Sequence, residues 1–139
     1  MKEHKITLRT AALAKKLGFN IPCNSKYVIN NMKKYMYTTK MKRNTTRDNV
    51  FLVPTQTILQ KWLRETFKIE VYVIPLETML FGSRDYIVRV LRKDHLTLSG
   101  NVYKTYEKAL EVGLQRALLY AEEERATNFE RVKDYILSN

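Results

Sequence analysis

Few residues in this chain of 139 have the chemistry for nucleophilic catalysis. That reaction needs a cysteine or serine beside a histidine base, and the chain holds one cysteine, Cys23, and two histidines, His4 and His95. A lone cysteine in such a setting is typically a small buried apolar residue, and we expect Cys23 to be one. The sequence therefore carries no nucleophilic signature.

Metal-dependent or phosphate-loop chemistry has equally little support. His95 has only Asp94 beside it, so no group of ligands with metal-site spacing is visible. A nuclease-like set of Asp85, Asp94 and Glu107 stays open, because side chains far apart in sequence can converge in a fold. The four glycines are too scattered for a phosphate-binding loop. We predict a non-enzymatic protein that uses no cofactor and no metal.

The charge pattern is the strongest functional signal. Residues 1–70 hold fifteen lysines and arginines against four acidic residues, and they account for the whole net charge of +11. No acidic residue occurs between His4 and Arg47. Such an excess repels itself unless a polyanion or an acidic partner lies nearby, so it favours a ligand that carries phosphates. A merely solvated lysine face is the open alternative.

Tyrosines interleave with these basic residues. Tyr27, Tyr35 and Tyr37 offer ring faces on which bases stack, while lysine and arginine attract phosphates. In an extended strand, side chains alternate, so Lys34 and Lys40 would share one face with Lys42, and Tyr35 and Tyr37 the other. Tyrosines that fill the core are the alternative. The predicted site for nucleic acid or an anionic nucleotide comprises Lys26, Lys33, Lys34, Tyr35, Tyr37, Lys40, Lys42, Arg43 and Arg47.

A helix-turn-helix regulator is a second nucleic-acid hypothesis. Residues 11–19 resemble the first helix and turn of that motif, and Ser25 would cap a recognition helix running to Met36. Pro22 makes the turn longer than usual, and the Tyr and β-branched content after it favours a strand. An extended conformation of residues 26–36 would exclude this hypothesis.

Local patterns predict the elements of the first half. Thr7 would cap a helix over residues 8–17 that ends at Gly18. Residues 26–41 read as two short strands with a turn at Asn30 and Asn31, and residues 42–50 as an exposed loop. A helix then opens at Pro54. Its apolar stripe consists of Ile58, Leu59, Trp62, Leu63 and Phe67.

Strands and a long helix follow in the second half. Alternation predicts a strand from residue 69 to 74 that Pro75 ends, and another over residues 85–92, with a turn at 99–101. A helix begins near Thr105, and Gly113 inside it requires a close packing partner. After residue 124, the narrow stripe of Phe129, Val132 and Ile136 suits a final helix that docks on the body or on a second subunit.

These elements predict an α+β fold of three or four helices packed on a small, mainly antiparallel β-sheet. The length favours one domain over residues 1–139, in which 122–139 can form a C-terminal helical extension. No apolar run approaches the ~20 residues that cross a bilayer, and the N-terminus lacks a signal-peptide stretch, so we expect a cytoplasmic protein without membrane contact. The predicted core is Leu59, Trp62, Leu63, Val71, Val73, Val88, Val90, Leu110, Leu114 and Leu118.

Three segments resemble a group of small uncharacterised proteins of gut Bacteroidales and their phages and prophages. They are Thr7-Leu-Arg-Thr-Ala-Ala-Leu-Ala-Lys-Lys-Leu-Gly-Phe-Asn-Ile-Pro-Cys23, Pro54-Thr-Gln-Thr-Ile-Leu-Gln-Lys-Trp-Leu-Arg-Glu65 and Tyr103-Lys-Thr-Tyr-Glu-Lys-Ala-Leu-Glu-Val-Gly-Leu-Gln-Arg-Ala-Leu118. The resemblance implies a bacteriophage or mobile-element origin and a bacterial host cytoplasm, and it supplies no catalytic residues. In that setting the expected roles are counter-defence by sequestering a nucleotide or nucleic acid, capping of a host protein, or a minor virion or cargo protein.

Overall fold

The computed structural model describes residues 3–77, 84–93, 95–98 and 101–138. Within them the chain forms two three-stranded antiparallel sheets, ordered β2-β1-β3 and β4-β5-β6, and three helices. The predicted α+β class is confirmed, with two small sheets in place of one. The elements are α1 (Leu8–Lys16), β1 (Cys23–Asn30), β2 (Lys33–Lys42), β3 (Val50–Leu52), α2 (Gln56–Phe67), β4 (Ile69–Glu77), β5 (Arg84–Arg92), β6 (His95–Leu98) and α3 (Tyr106–Ser138).

The first half of α3 packs on the second sheet. Gly113 lies so close to β4 and β5 that a Cβ there would be 2.4 Å from Val88 Cγ2 and 2.6 Å from Val71 Cγ1. This confirms the predicted close partner, because only a residue without a side chain allows that approach. The predicted core residues are buried apart from Val73, which is half-buried against the same core.

Two local predictions are wrong for reasons of tertiary packing. Ile58 is 38% exposed, because it lies about 100° around α2 from Leu59, outside the arc that buried Gln56, Leu59, Trp62 and Leu63 occupy. β4 does not stop at Pro75 but continues through it, with Pro75 opposite Tyr86. In this sheet β4 is an edge strand, so the missing N–H of proline need not cost a ladder hydrogen bond. The short strands β3 and β6 were not predicted at all.

A buried polar cluster joins α1 and α2 to α3. The carboxylate of Glu111, which is only 6% exposed, accepts hydrogen bonds from the backbone N–H of Thr7 (3.2 Å) and from its hydroxyl (3.0 Å). Thr10 Oγ1 also donates to it, and Gln56 Nε2 donates at 3.1 Å. Gln115 Nε2 completes the cluster by donating to Thr10 Oγ1 at 3.0 Å. The three segments that carry the sequence resemblance meet at this point.

The last helix is a single element and not two. α3 runs without a break from Tyr106 to Ser138, and residues 125–138 are all exposed. The expected separate final helix is therefore a continuation of α3. The predicted turn at 99–101 falls largely outside the described residues, as does Asp94. No helix in the described part of the chain is both long and apolar enough to cross a membrane.

Candidate nucleic-acid interface

The basic stretch forms a β-hairpin. β1 and β2 pair in antiparallel register from Ser25 opposite Thr38 to Asn30 opposite Lys33. The turn residues Asn31 and Met32 both have positive φ, 50° and 62°, as a two-residue hairpin turn requires. The turn therefore lies one residue later than predicted. The hairpin excludes the helix-turn-helix hypothesis, because the segment required as a recognition helix is extended.

The inner face of the hairpin is anchored to the body. Tyr27 is only 7% exposed, and its hydroxyl donates to the carbonyl of Ile6 at 2.8 Å. Burial, together with the nearby charge of Glu111, raises the pKa of Tyr27 above its usual value. Tyr27 thus belongs to the core, and the idea that its ring is open to a base is wrong. Lys34 Nζ lies 5.3 Å from the centroid of that ring.

The outer face combines a lysine with two tyrosines. Lys26 is directly opposite Tyr37, so the two share this face, and Tyr35 is two residues before Tyr37 on the same strand. The two tyrosines are 43% and 48% exposed, and their ring centroids are 6.4 Å apart at an interplanar angle of 31°. A shallow groove of about 250 Å³ lies beside them, lined by Lys26, Val28, Tyr37, Thr38 and Thr39.

The other predicted lysines are divided between the faces. Register places Lys33 opposite Asn30 on the outer face, whereas Lys34 is opposite Ile29 on the inner one. Near the base of the hairpin, successive paired positions are two residues apart on β1, at Cys23 and Ser25, but four apart on β2, at Lys42 and Thr38. This irregularity interrupts the pairing around Lys40, so the ladder does not assign that side chain to either face.

Arg43 and Arg47 lie on the loop that follows β2. Asn44 fixes this loop: its Nδ2 donates to the carbonyl of Phe19 at 2.5 Å, and its Oδ1 accepts from the backbone N–H of Leu52 at 3.2 Å. Arg43 Nη1 donates to the carbonyl of Asn20 at 3.0 Å. The loop is therefore held at the end of the hairpin, but its arginines are separate from the tyrosine pair.

The basic side chains of the site lack acidic partners. Among the described residues, none of the seven lysines and arginines of the predicted site forms an ion pair. Asp48 is the only acidic residue between Glu3 and Glu65, so the sequence provides little local compensation. The hairpin and its loop thus present uncompensated positive charge to solvent.

Sequence reasoning missed one exposed residue of this surface. Met32 at the hairpin tip is 98% exposed, beside Lys33, and its positive φ is uncommon for a residue with a side chain. No pattern in the sequence distinguished it from a core methionine. An apolar side chain so placed offers a contact surface for a base.

Three of the side chains considered for catalysis, Cys23, Asp85 and Glu107, have ordinary structural surroundings. Cys23 is buried, its Sγ donates to the carbonyl of Ile21 at 3.2 Å, and burial raises the pKa of its thiol to about 11. A thiol protonated at neutral pH is a poor nucleophile, and the interpretation of Cys23 as a buried apolar residue is confirmed. Asp85 Oδ1 accepts a hydrogen bond from Lys104 Nζ at 3.1 Å, and Glu107 Oε1 is 3.6 Å from His4 Nε2.

Comparison with protein-family models, with curated proteins and with solved structures found no match to this chain. The geometry of the hairpin is therefore the basis for the functional argument.

Proposed function

We propose that this protein is a non-enzymatic binder of single-stranded nucleic acid and that the outer face of the β1–β2 hairpin is its binding surface. The observation that carries the proposal is the exposed Tyr35–Tyr37 pair, which shares its face with Lys26 and Lys33. Aromatic rings that stack on bases, combined with cations along the backbone, are the means by which single strands are bound without sequence preference.

Burial separates these two tyrosines from a structural role. Tyr27, one strand away, is 7% exposed and makes a specific hydrogen bond to the body, as a core tyrosine does. Tyr35 and Tyr37 leave nearly half of their surface in water instead. Within the described chain their rings contact each other, and a base can stack on the exposed area.

The shape of the surface favours a polymer over an enclosed nucleotide. A strand of the length of β2, ten residues, extends about 33 Å, which accommodates several nucleotides. The groove beside Tyr37, at about 250 Å³, is below the roughly 300–1,000 Å³ of sites that enclose small ligands. Sequestration of a free nucleotide at this groove, in counter-defence or otherwise, is therefore less favoured than binding of a single strand along the hairpin.

Lysines on β2 also have a structural use that the experiment must separate from binding. β2 is an edge strand, and charged side chains on an edge oppose pairing with the strands of other molecules. That use explains lysines but not exposed tyrosines. The tyrosines are therefore the better target for a test.

Binding of fluorescently labelled oligothymidine, measured by anisotropy at low salt, tests the proposal. We expect the double variant Tyr35→Ala/Tyr37→Ala to weaken binding roughly 5- to 150-fold for each stacked base lost, since each stack contributes about 1–3 kcal/mol. The matched control is Tyr72→Ala, a tyrosine 42% exposed on the second sheet, which should leave affinity unchanged.

Three outcomes would contradict the proposal. The first is a parent protein that binds no oligonucleotide at low salt, and the second is equal binding by the hairpin variant and the Tyr72 control. Tight binding of mononucleotides with no preference for the polymer would instead support nucleotide sequestration. Size-exclusion chromatography of each variant shows whether a loss of binding accompanies aggregation through the edge strand.

A further inference from the structure

The apolar face of α3 continues beyond the body of the protein. Leu114, Leu118 and Ala121 are fully buried against the rest of the chain. At 100° per residue, Arg125, Phe129, Val132 and Ile136 follow on the same side of the helix, which we call the tail stripe. Phe129 is 68% exposed, Val132 56% and Ile136 65%. A surface helix normally carries such a stripe because something covers it.

A groove lies where the tail stripe leaves the body. Its volume is about 330 Å³, and the C-terminal end of α1 forms one wall with Lys16 and Leu17. Arg125 Nη1 donates to the carbonyl of Lys16 at 3.1 Å, and Lys16 Nζ pairs with Glu122 at 2.5 Å. These contacts fix the rim of the groove around an apolar floor. The α3 wall consists of Glu122, Arg125, Ala126, Phe129 and Glu130.

We propose that a second copy of this chain covers the tail stripe, with the two α3 tails antiparallel. The charges that flank the stripe favour this occupant and this direction. Glu122 and Lys133 lie on the same side of the stripe, because eleven residues correspond to just over three whole turns. In an antiparallel pair of helices the same flank of each helix meets. Glu122, whose carboxylate also pairs with Lys16 of its own chain, therefore faces Lys133 of the second copy when the two-fold axis passes between Thr127 and Asn128. This ion pair then forms twice.

A parallel pair has no equivalent complementarity. There each flank meets the opposite flank of the other helix, where Glu124 and Arg131 lie beyond Asn128 and Tyr135. In register, Glu122 then lies nearest the like charge of Glu124, and Lys133 nearest that of Arg131. In the antiparallel register, by contrast, Val132 of the second copy lies opposite residues 122–126, which include three of the five α3 residues that line the groove. The groove and the far end of the stripe thus complement each other between two identical chains.

Light scattering coupled to size-exclusion chromatography tests the association. We expect the parent protein to have twice the 16.5 kDa mass of the chain and Val132→Glu/Ile136→Glu to have the monomer mass. Both side chains are exposed within one copy, so the folded body should persist, and circular dichroism verifies that it does. The matched control is Leu137→Glu, which alters a side chain 74% exposed but about 100° around the helix from Ile136.

Single cysteines distinguish the two directions. Asn128→Cys lies beside the proposed two-fold axis and should form an intermolecular disulfide under mild oxidation. Ile136→Cys should not, because its two copies would be roughly 25 Å apart in the antiparallel pair. The parent protein, whose cysteine Cys23 is buried, shows whether Cys23 itself forms an intermolecular disulfide under these conditions. A monomeric parent, a dimer that survives the double glutamate variant, or a disulfide at 136 without one at 128 would overturn the proposal.

Discussion

The salt dependence of binding provides a quantitative test of the hairpin surface. For single strands, the slope of log affinity against log salt is about −0.7 for each phosphate neutralised. Two lysines that each neutralise one phosphate contribute about −1.4 to that slope, so a fourfold rise in salt removes roughly 7-fold of affinity through these two contacts alone. Lys26 and Lys33 are the two lysines that register places on the tyrosine face. We therefore choose Lys26→Gln/Lys33→Gln as the perturbation.

Removing these two phosphate contacts should make the slope shallower by about 1.4, so that the same fourfold rise in salt costs roughly 7-fold less affinity than in the parent protein. The matched control is Lys61→Gln/Lys108→Gln, which removes the same charge from exposed positions on α2 and α3. Anisotropy titrations at four or more salt concentrations give each slope directly. An unchanged slope in the hairpin variant, or an equal change in the control, would refute the assignment of the outer face.

Two further predictions concern packing and the buried polar cluster. Gly113→Ala should lower the free energy of unfolding by about 1–2 kcal/mol in urea titrations, since the clash with Val88 and Val71 outweighs the ~1 kcal/mol that alanine contributes to helix stability. A more stable variant would contradict the close approach. Glu111→Gln should lower the free energy of unfolding by about 2–3 kcal/mol, because the amide group that replaces one carboxylate oxygen is a donor and faces other donors. The control Glu130→Gln, on the exposed tail, should change the free energy of unfolding by less than ~0.5 kcal/mol.

Signals that act over a few residues were reliable. Thr7 caps α1 as the sequence predicts, because a threonine side chain accepts a hydrogen bond from the N–H three residues later whatever lies elsewhere in the fold. The glycine inside α3 likewise indicated a close neighbour, although not which one. The two strands of the basic stretch were predicted from their Tyr and Thr content.

The site was predictable in part. The alternation of Lys34 with Tyr35 and Tyr37 along β2 gives the two faces by itself, since side chains of a strand alternate in any sheet. That Lys26 joins the tyrosine face depends on the register with β1, which no local pattern specifies. The burial of Tyr27 depends on Ile6, which lies on a different segment of the chain.

The sequence by itself determined the class of the fold, the cap of α1, four of the six described strands, and a first half whose positive charge has little internal compensation. Only the tertiary structure decided which tyrosines face water, why Pro75 is tolerated, and that Glu111 meets the start of α1. The physical reason is that propensity and periodicity act within a few residues. Burial, register and the partners of a polar group depend on elements that are distant in sequence and adjacent only in the folded chain.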